Sequence, residues 1–262
     1  RIPAGVAPCV LALAVAACVA DPSSPAVALS GGRLSFATEL PAAATQPGPH
    51  MFRGDARATF YLPVSAVGRS APLLILLHGA RGGADAMIRR FRSEADRRGI
   101  ILLAPESAGG TWDAVAEIGR GRPPAFGRDP ARIDAAISQA FKRASIDPAR
   151  IAIAGFSDGA GYALSLGARN SDRFSAIMAF SPGMIVPGET GPPTQVFISH
   201  GAADRILPIG LARDTLAPVL KGAGFDVTFV AFQGGHELPD DVLVQALDLW
   251  LGPGKGPPRT RG

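Results

Sequence analysis

Seven short apolar runs recur along this chain: Ala58 to Leu62, Leu73 to Leu77, Ile100 to Ala104, Ile151 to Ala154, Phe174 to Phe180, Gln195 to Ser199 and Val227 to Phe232. Each is too brief for a helix, and most lack the apolar and polar alternation of a strand with one wet face. Such runs belong to strands buried on both sides, as in a mainly parallel sheet covered by helices. The gaps between them carry helical spelling. One helix opens with Asp129 as N-cap and Pro130 in its first turn, then sets Ile133, Ala136, Ile137, Ala140 and Phe141 on one face. Another, Asp240 to Leu251, aligns Val242, Leu243, Ala246, Leu247 and Trp250. A chain of 262 residues accommodates one such α/β domain and hardly two.

The two ends read differently. Residues 1–20, "RIPAGVAPCVLALAVAACVA", form a short apolar run behind an arginine that ends in small residues, the pattern of a secretory leader. "VAAC" also fits a lipoprotein cleavage box, which would tether the protein to a membrane through lipidated Cys18. Cleavage near Ala20 is the plainer alternative. Both readings place the protein outside the cytoplasm, secreted or periplasmic. Cys9 and Cys18 are the only cysteines, so no disulfide is expected in the mature domain. Residues 21–50 are a Pro- and Ala-rich lead-in with one strand-like piece at 33–38, the catalytic domain is expected at 51–252, and 253–262 is a Pro- and Gly-rich tail.

A net charge of +4 raises the question of a nucleic-acid partner. The basic residues are nearly all arginines, with lysine only at 142, 221 and 255, and they are scattered rather than gathered on one helix face. No nucleic-acid partner is expected.

The chemistry concentrates at "IAIAGFSDGAGYALSLG", Ile151 to Gly167. Gly155-Phe156-Ser157-Asp158-Gly159 fits G-x-S-x-G, in which the chain leaves a strand, turns sharply and enters a helix with a serine at the apex. Five letters alone are weak evidence in a glycine-rich chain. A preceding apolar run and a following small-residue helix give the context the motif requires. A serine hydroxyl is a poor nucleophile at neutral pH and needs a base, which needs an orienting acid.

Four histidines are available, at 50, 78, 200 and 236, and two follow the serine. His236, in "FQGGHELP", lies on a glycine-flanked loop just past a strand and is the expected base; the alternative is a loop histidine capping the next helix. His200 ends its own strand and is expected to be held in the sheet. The acid has to follow Ser157 and sit at a strand's C-terminal end. Asp204 in "HGAADRILPI" meets that condition, with an N-cap role as its structural alternative. Asp172, Glu189, Asp214 and Asp226 fall elsewhere. Attack on a carbonyl also demands donors for the oxyanion, and the backbone N–H groups of Ala80, in "LLHGARGG", and of Asp158 are assigned to it. His78 is expected to pack and hold that loop. "HELPD" lacks the second histidine of a zinc helix and is broken by Pro239, so no metal is expected.

With these parts in order, the chain resembles the α/β-hydrolase superfamily, and within it the phospholipase/carboxylesterase group related to acyl-protein thioesterases. The blocks that carry the likeness are "LLHGARGG", "PESAGGTWD", "ARIAIAGFSDGAGYALSLG", "AFSPG", "SHGAADRILPI" and "FQGGHELP", spread from about Ala58 to Leu251. The resemblance implies a single-domain hydrolase with a sheet of at most eight strands and no cap domain, acting on esters without a cofactor. It also places "TWD" near the acyl pocket. Trp112 is then the first candidate for a substrate wall, with a buried core tryptophan as the alternative, and Arg81, Met184 and Leu207 are further pocket candidates from neighbouring loops.

Two departures matter. Cytosolic members of the group lack an exported leader, and Asp158 stands where eukaryotic relatives commonly carry glutamine, so its charge is expected to disfavour anionic acyl groups. The expected function is a serine carboxylesterase for short-chain esters. A polyester depolymerase and a non-catalytic binding protein on the same fold are the alternatives; the oligomeric state is not legible.

Overall fold

Side chains alternate across the central strands, and that alternation sorts the apolar residues into two cores. The computed structural model describes residues 31–38 and 45–252. The leader with Cys9 and Cys18, most of the lead-in and the tail lie outside the described residues. In β3 (Ala71–Leu77), Leu73, Ile75 and Leu77 join one apolar cluster while Leu74 and Leu76 join the other. All five are fully buried, so this strand has helices over both faces.

Among the described residues eight strands form one sheet in the order β1-β2-β4-β3-β5-β6-β7-β8. They are β1 (Gly48–Phe52), β2 (Ala58–Leu62), β3, β4 (Ile101–Pro105), β5 (Ile146–Phe156), β6 (Ala176–Phe180), β7 (Gln195–Gly201) and β8 (Asp226–Phe232). β1 and β2 run antiparallel at one edge, and every pairing from β4 through β8 is parallel. Helices α1 (Ala84–Arg98) and α6 (Asp240–Leu251) supply the apolar faces of one core. The other core takes α2 (Asp113–Gly119), α3 (Asp129–Phe141), α4 (Asp158–Arg169) and α5 (Ala217–Gly222). This is the single-domain α/β-hydrolase arrangement.

The order reverses at β3: β4 lies on one side of it and β5 on the other. Such a switch point opens a crevice at the carboxyl ends of the parallel strands. β3, β5, β7 and β8 all deliver their C-terminal loops to that edge.

Three sequence readings need correction. β1 begins at Gly48, inside the stretch read as a lead-in. Residues 33–38 are not a strand; they are bonded to α3 and to the C-terminal end of α4. Leu34 and Phe36 are buried there, and their N–H groups donate to Asn170 Oδ1 and Asp134 Oδ1 at 2.8 Å each. Asp129 is the first residue of α3, not its cap. Its carboxylate accepts from the N–H groups of Ala108 and Asp113, both at 2.8 Å, while Asp113 Oδ2 returns the favour by accepting from Asp129 N at 2.7 Å.

Candidate active site

The turn after β5 forces Ser157 into φ 56°, ψ −121°, a conformation that a residue with a side chain rarely adopts. Such backbone costs on the order of 1–3 kcal/mol and persists only where its surroundings enforce it. Here they do. Ser157 N donates to Phe180 O of β6 at 2.9 Å, and Ser157 O accepts from Ala160 N and Gly161 N as α4 begins. The flanking glycines permit the tightness: a β-carbon on Gly159 would lie 2.2 Å from Leu77 O, and one on Gly155 2.1 Å from Gly159 O.

The loop after β8 meets the loop after β7 backbone to backbone. Ala202 N donates to Phe232 O and Ala203 N to Gly234 O, both at 2.9 Å. Gly201 makes the approach possible, since a β-carbon there would stand 2.1 Å from Gly235 O. The result carries His236 over the serine. His236 Nε2 is 2.8 Å from Ser157 Oγ, and His236 Nδ1 is 2.7 Å from Asp204 Oδ2. The Phe156 ring, centred 4.9 Å from the imidazole, packs against it.

Asp204 has a side chain with no exposed surface. Its other oxygen, Oδ1, accepts from Ile206 N at 2.8 Å and Leu207 N at 2.9 Å, so the turn role and the contact with His236 coexist. Burial works to raise its pKa, but the His236 hydrogen bond and the two N–H groups outweigh that and hold the carboxyl below its ordinary value. His200, fully buried in β7, directs Nε2 to Leu207 O at 2.7 Å and stands 3.2 Å from Asp204 Oδ2. Burial pushes its pKa down.

Ala80 follows β3. A β-carbon on neighbouring Gly79 would meet Ser157 Cβ at 3.2 Å, which sets this turn against the nucleophile candidate. Asp158, as the first residue of α4, has an N–H that no carbonyl of its own helix can take. The segments that carry the two assigned N–H groups thus both adjoin the serine. His78 is nearly buried; its Nε2 accepts from Ser107 N at 3.2 Å, so Nδ1 carries the proton and donates to Gly79 O at 2.9 Å.

The pocket candidates fare unevenly. Trp112 is fully buried, stacked between His78 and Tyr162, and its Nε1 donates to His78 O at 2.8 Å. These contacts are those of the alternative reading, a buried core tryptophan beneath the loop. Met184 is buried against α4, where a β-carbon on Gly161 would collide with its side chain. Arg81 is exposed, with φ 55°, and its N–H donates to Gly110 O at 2.8 Å. Leu207 is half-buried beside Asp204.

Sequence reasoning gave no role to Thr111, whose Oγ1 donates to Asp158 Oδ2 at 2.6 Å, or to Asp113, which also accepts from Tyr162 OH at 2.9 Å. Both lie in the block "TWD", so the letters marked the place but not the contacts.

Residues 125–249 match the family model described as Phospholipase/Carboxylesterase. The assigned esterase NocK of Nocardia uniformis subsp. tsuyamanensis is 32% identical over 149 residues, covering 55% of this chain and 43% of NocK. An assigned feruloyl esterase C of Aspergillus oryzae is 28% identical over 163 residues, covering 52% of this chain and 57% of its own length. The chain therefore spans about half the length of these curated relatives. Among solved structures, esterase PE8 superposes with a TM-score of 0.58 at 24% identity, over 73% of this chain and 97% of that one. A phospholipase/carboxylesterase from Dyadobacter fermentans gives 0.56 at 21%, over 73% and 94%. At these identities the structures speak for the fold. Sheet order and the superposed structures converge on the α/β-hydrolase fold, and residues 125–249 of this chain are similar to the phospholipase/carboxylesterase family.

Proposed function

We propose that this protein is a serine carboxylesterase. The observation that carries the reading is the continuous hydrogen-bonded line from Ser157 Oγ through both ring nitrogens of His236 to buried Asp204. In the reaction, Ser157 Oγ attacks the ester carbonyl carbon while His236 Nε2 takes the hydroxyl proton. Asp204, ionised, fixes the Nδ1–H tautomer and stabilises the imidazolium. The N–H groups of Ala80 and Asp158 receive the oxyanion. Collapse of the tetrahedral adduct breaks the bond to the alkoxy group, which leaves with the proton held on His236. Water, deprotonated by His236, then attacks the acyl-serine; the acid departs and the proton returns to Ser157.

Short acyl chains suit this site best. Its one half-buried apolar side chain among the four pocket candidates is Leu207, packed over Gly183. Hydrolysis of p-nitrophenyl acetate and butyrate by the protein and by Ser157→Ala tests the reading. Loss of at least about 10³-fold is expected on substitution. Equal rates in the two proteins would reject it.

A further inference from the structure

Asp158 takes part in the reaction through its backbone, which leaves its carboxylate without an assigned task. Asp158 is half-buried next to Ser157 in the chain, and its Oδ2 is tied to Thr111 Oγ1 at 2.6 Å. Among the described residues it forms no ion pair.

Thr111 has little freedom to move. Gly110 O accepts from Arg81 N at 2.8 Å, and Trp112 Nε1 donates to His78 O at 2.8 Å, so the residues on either side of Thr111 are fastened to the turn that carries Ala80. The buried Asp129 carboxylate holds the same segment at Ala108 N and Asp113 N, both at 2.8 Å. Asp113 in turn is bonded to Asp129 N and Tyr162 OH. The anion on Asp158 is therefore fixed in position on the bridge between the two segments that supply the oxyanion donors. Arg81, the cation nearest in sequence on that turn, is exposed to bulk water, where screening weakens it.

We propose that Asp158, clamped by Thr111, is a charge filter that makes the site selective for neutral and cationic acyl groups and rejects acyl groups bearing a carboxylate. The inference rests on the esterase reading above and names its substrate class. A second negative charge brought to within several ångströms of the carboxylate of this half-buried residue is disfavoured by about tenfold or more. A cation gains by the same interaction. An amide at position 158 keeps an oxygen for Thr111 and loses the charge.

The test compares kcat/KM for three p-nitrophenyl esters: the hexanoate, the half-ester of adipate, in which a carboxylate replaces the terminal methyl of the same six-carbon chain, and a trimethylammoniobutanoate. The protein is expected to prefer the hexanoate over the adipate half-ester by about tenfold or more and to accept the cationic ester at least as well as the hexanoate. In Asp158→Asn both differences should shrink toward unity. Raising sodium chloride should shrink them in the unaltered protein as well, an arm that needs no variant. Equal use of neutral and anionic esters by the unaltered protein overturns the filter, as does a preference that survives both Asp158→Asn and salt. Absence of Ser157-dependent hydrolysis of p-nitrophenyl acetate and butyrate overturns the esterase reading itself, and the filter with it.

Discussion

His200 Nε2 stands 3.2 Å from Asp204 Oδ2, the oxygen that also faces His236 Nδ1. Its other close partner, Leu207 O, can only accept, so Nε2 carries the proton and a neutral imidazole serves as donor. Nδ1 is buried without a hydrogen-bond partner among the described residues, and a second proton there would be left unpaired in an apolar setting. The acid of the proposed triad is thus held by a histidine on each side, one of them kept neutral by burial.

A pH dependence of stability follows. The His200 pKa is lowered in the folded protein, chiefly by burial, whereas the unfolded chain protonates near about 6.5. Between those values the unfolded state binds more protons, so stability rises with pH. Its contribution is whole above the unfolded pKa and is lost as pH falls through that value toward the folded one. The midpoint of thermal unfolding, followed by circular dichroism, should drop between pH 7.5 and 5.5, and His200→Gln should flatten the decline. Parallel curves for the two proteins would contradict this account. Gln retains a donor for Asp204 and Leu207, so it should keep more activity than His200→Ala, for which a loss in kcat of about tenfold is expected.

Gly201→Ala tests how the acid and the base are brought together. Its β-carbon would lie 2.1 Å from Gly235 O, a clash that only separation of the two loops relieves. Misplacing a reacting group by about 1 Å can cost on the order of 10²-fold. The expected outcome is a fall in kcat/KM of at least about that size, together with slower fluorophosphonate labelling of Ser157, in a protein whose circular dichroism is retained. Unchanged labelling would mean that the loops do not set the position of His236.

The parallel strands and the serine turn were legible because their signals are local: unbroken apolar runs, and glycines where backbones touch. β1 was not. "GPHMF" carries Gly and Pro, and it pairs on one side only, leaving Met51 exposed, so no apolar run marks it. Residues 33–38 mislead in the opposite direction. Leu34 and Phe36 alternate with exposed Arg33 and Ser35 as in a strand, yet the N–H groups of 34–36 go to the side chains of Asn170 and Asp134, far along the chain. Asp129 looked like a cap for the same reason: its partners, Ala108 and Asp113, precede it across a loop that local spelling does not register. At the candidate site the order of serine, acid and histidine is a matter of motif and could be read from the letters, whereas the burial of Trp112 and Met184 is decided by packing between distant segments, which the letters do not carry.

Asp134→Ala should separate fold from catalysis. Its carboxylate accepts from Ser35 N at 2.7 Å, Phe36 N at 2.8 Å and Ser35 Oγ at 2.9 Å, fastening the segment that buries Leu34 and Phe36 against α3. Hydrogen bonds to a charged acceptor are worth about 1.5–3 kcal/mol each when buried, and these are partly exposed, so a total near 2 kcal/mol is expected. Urea unfolding should show that loss while kcat on p-nitrophenyl butyrate stays the same.

Trp112→Phe distinguishes a strut from a substrate wall. Phenylalanine keeps an aromatic ring between His78 and Tyr162 but removes the indole N–H, leaving His78 O short of its 2.8 Å donor in a buried place. An acceptor stranded in this way costs about 1–3 kcal/mol, felt at the turn that carries Ala80. Full loss of one oxyanion donor lowers kcat by about 10²- to 10³-fold, so a loosened donor should lower it by about tenfold with KM nearly unchanged. A wall residue would give the other pattern, a shifted KM and an altered preference among acyl lengths. The acetate-to-hexanoate series, measured for both proteins, separates the two: a uniform drop in kcat along the series is expected, and a change in its slope would return Trp112 to the pocket.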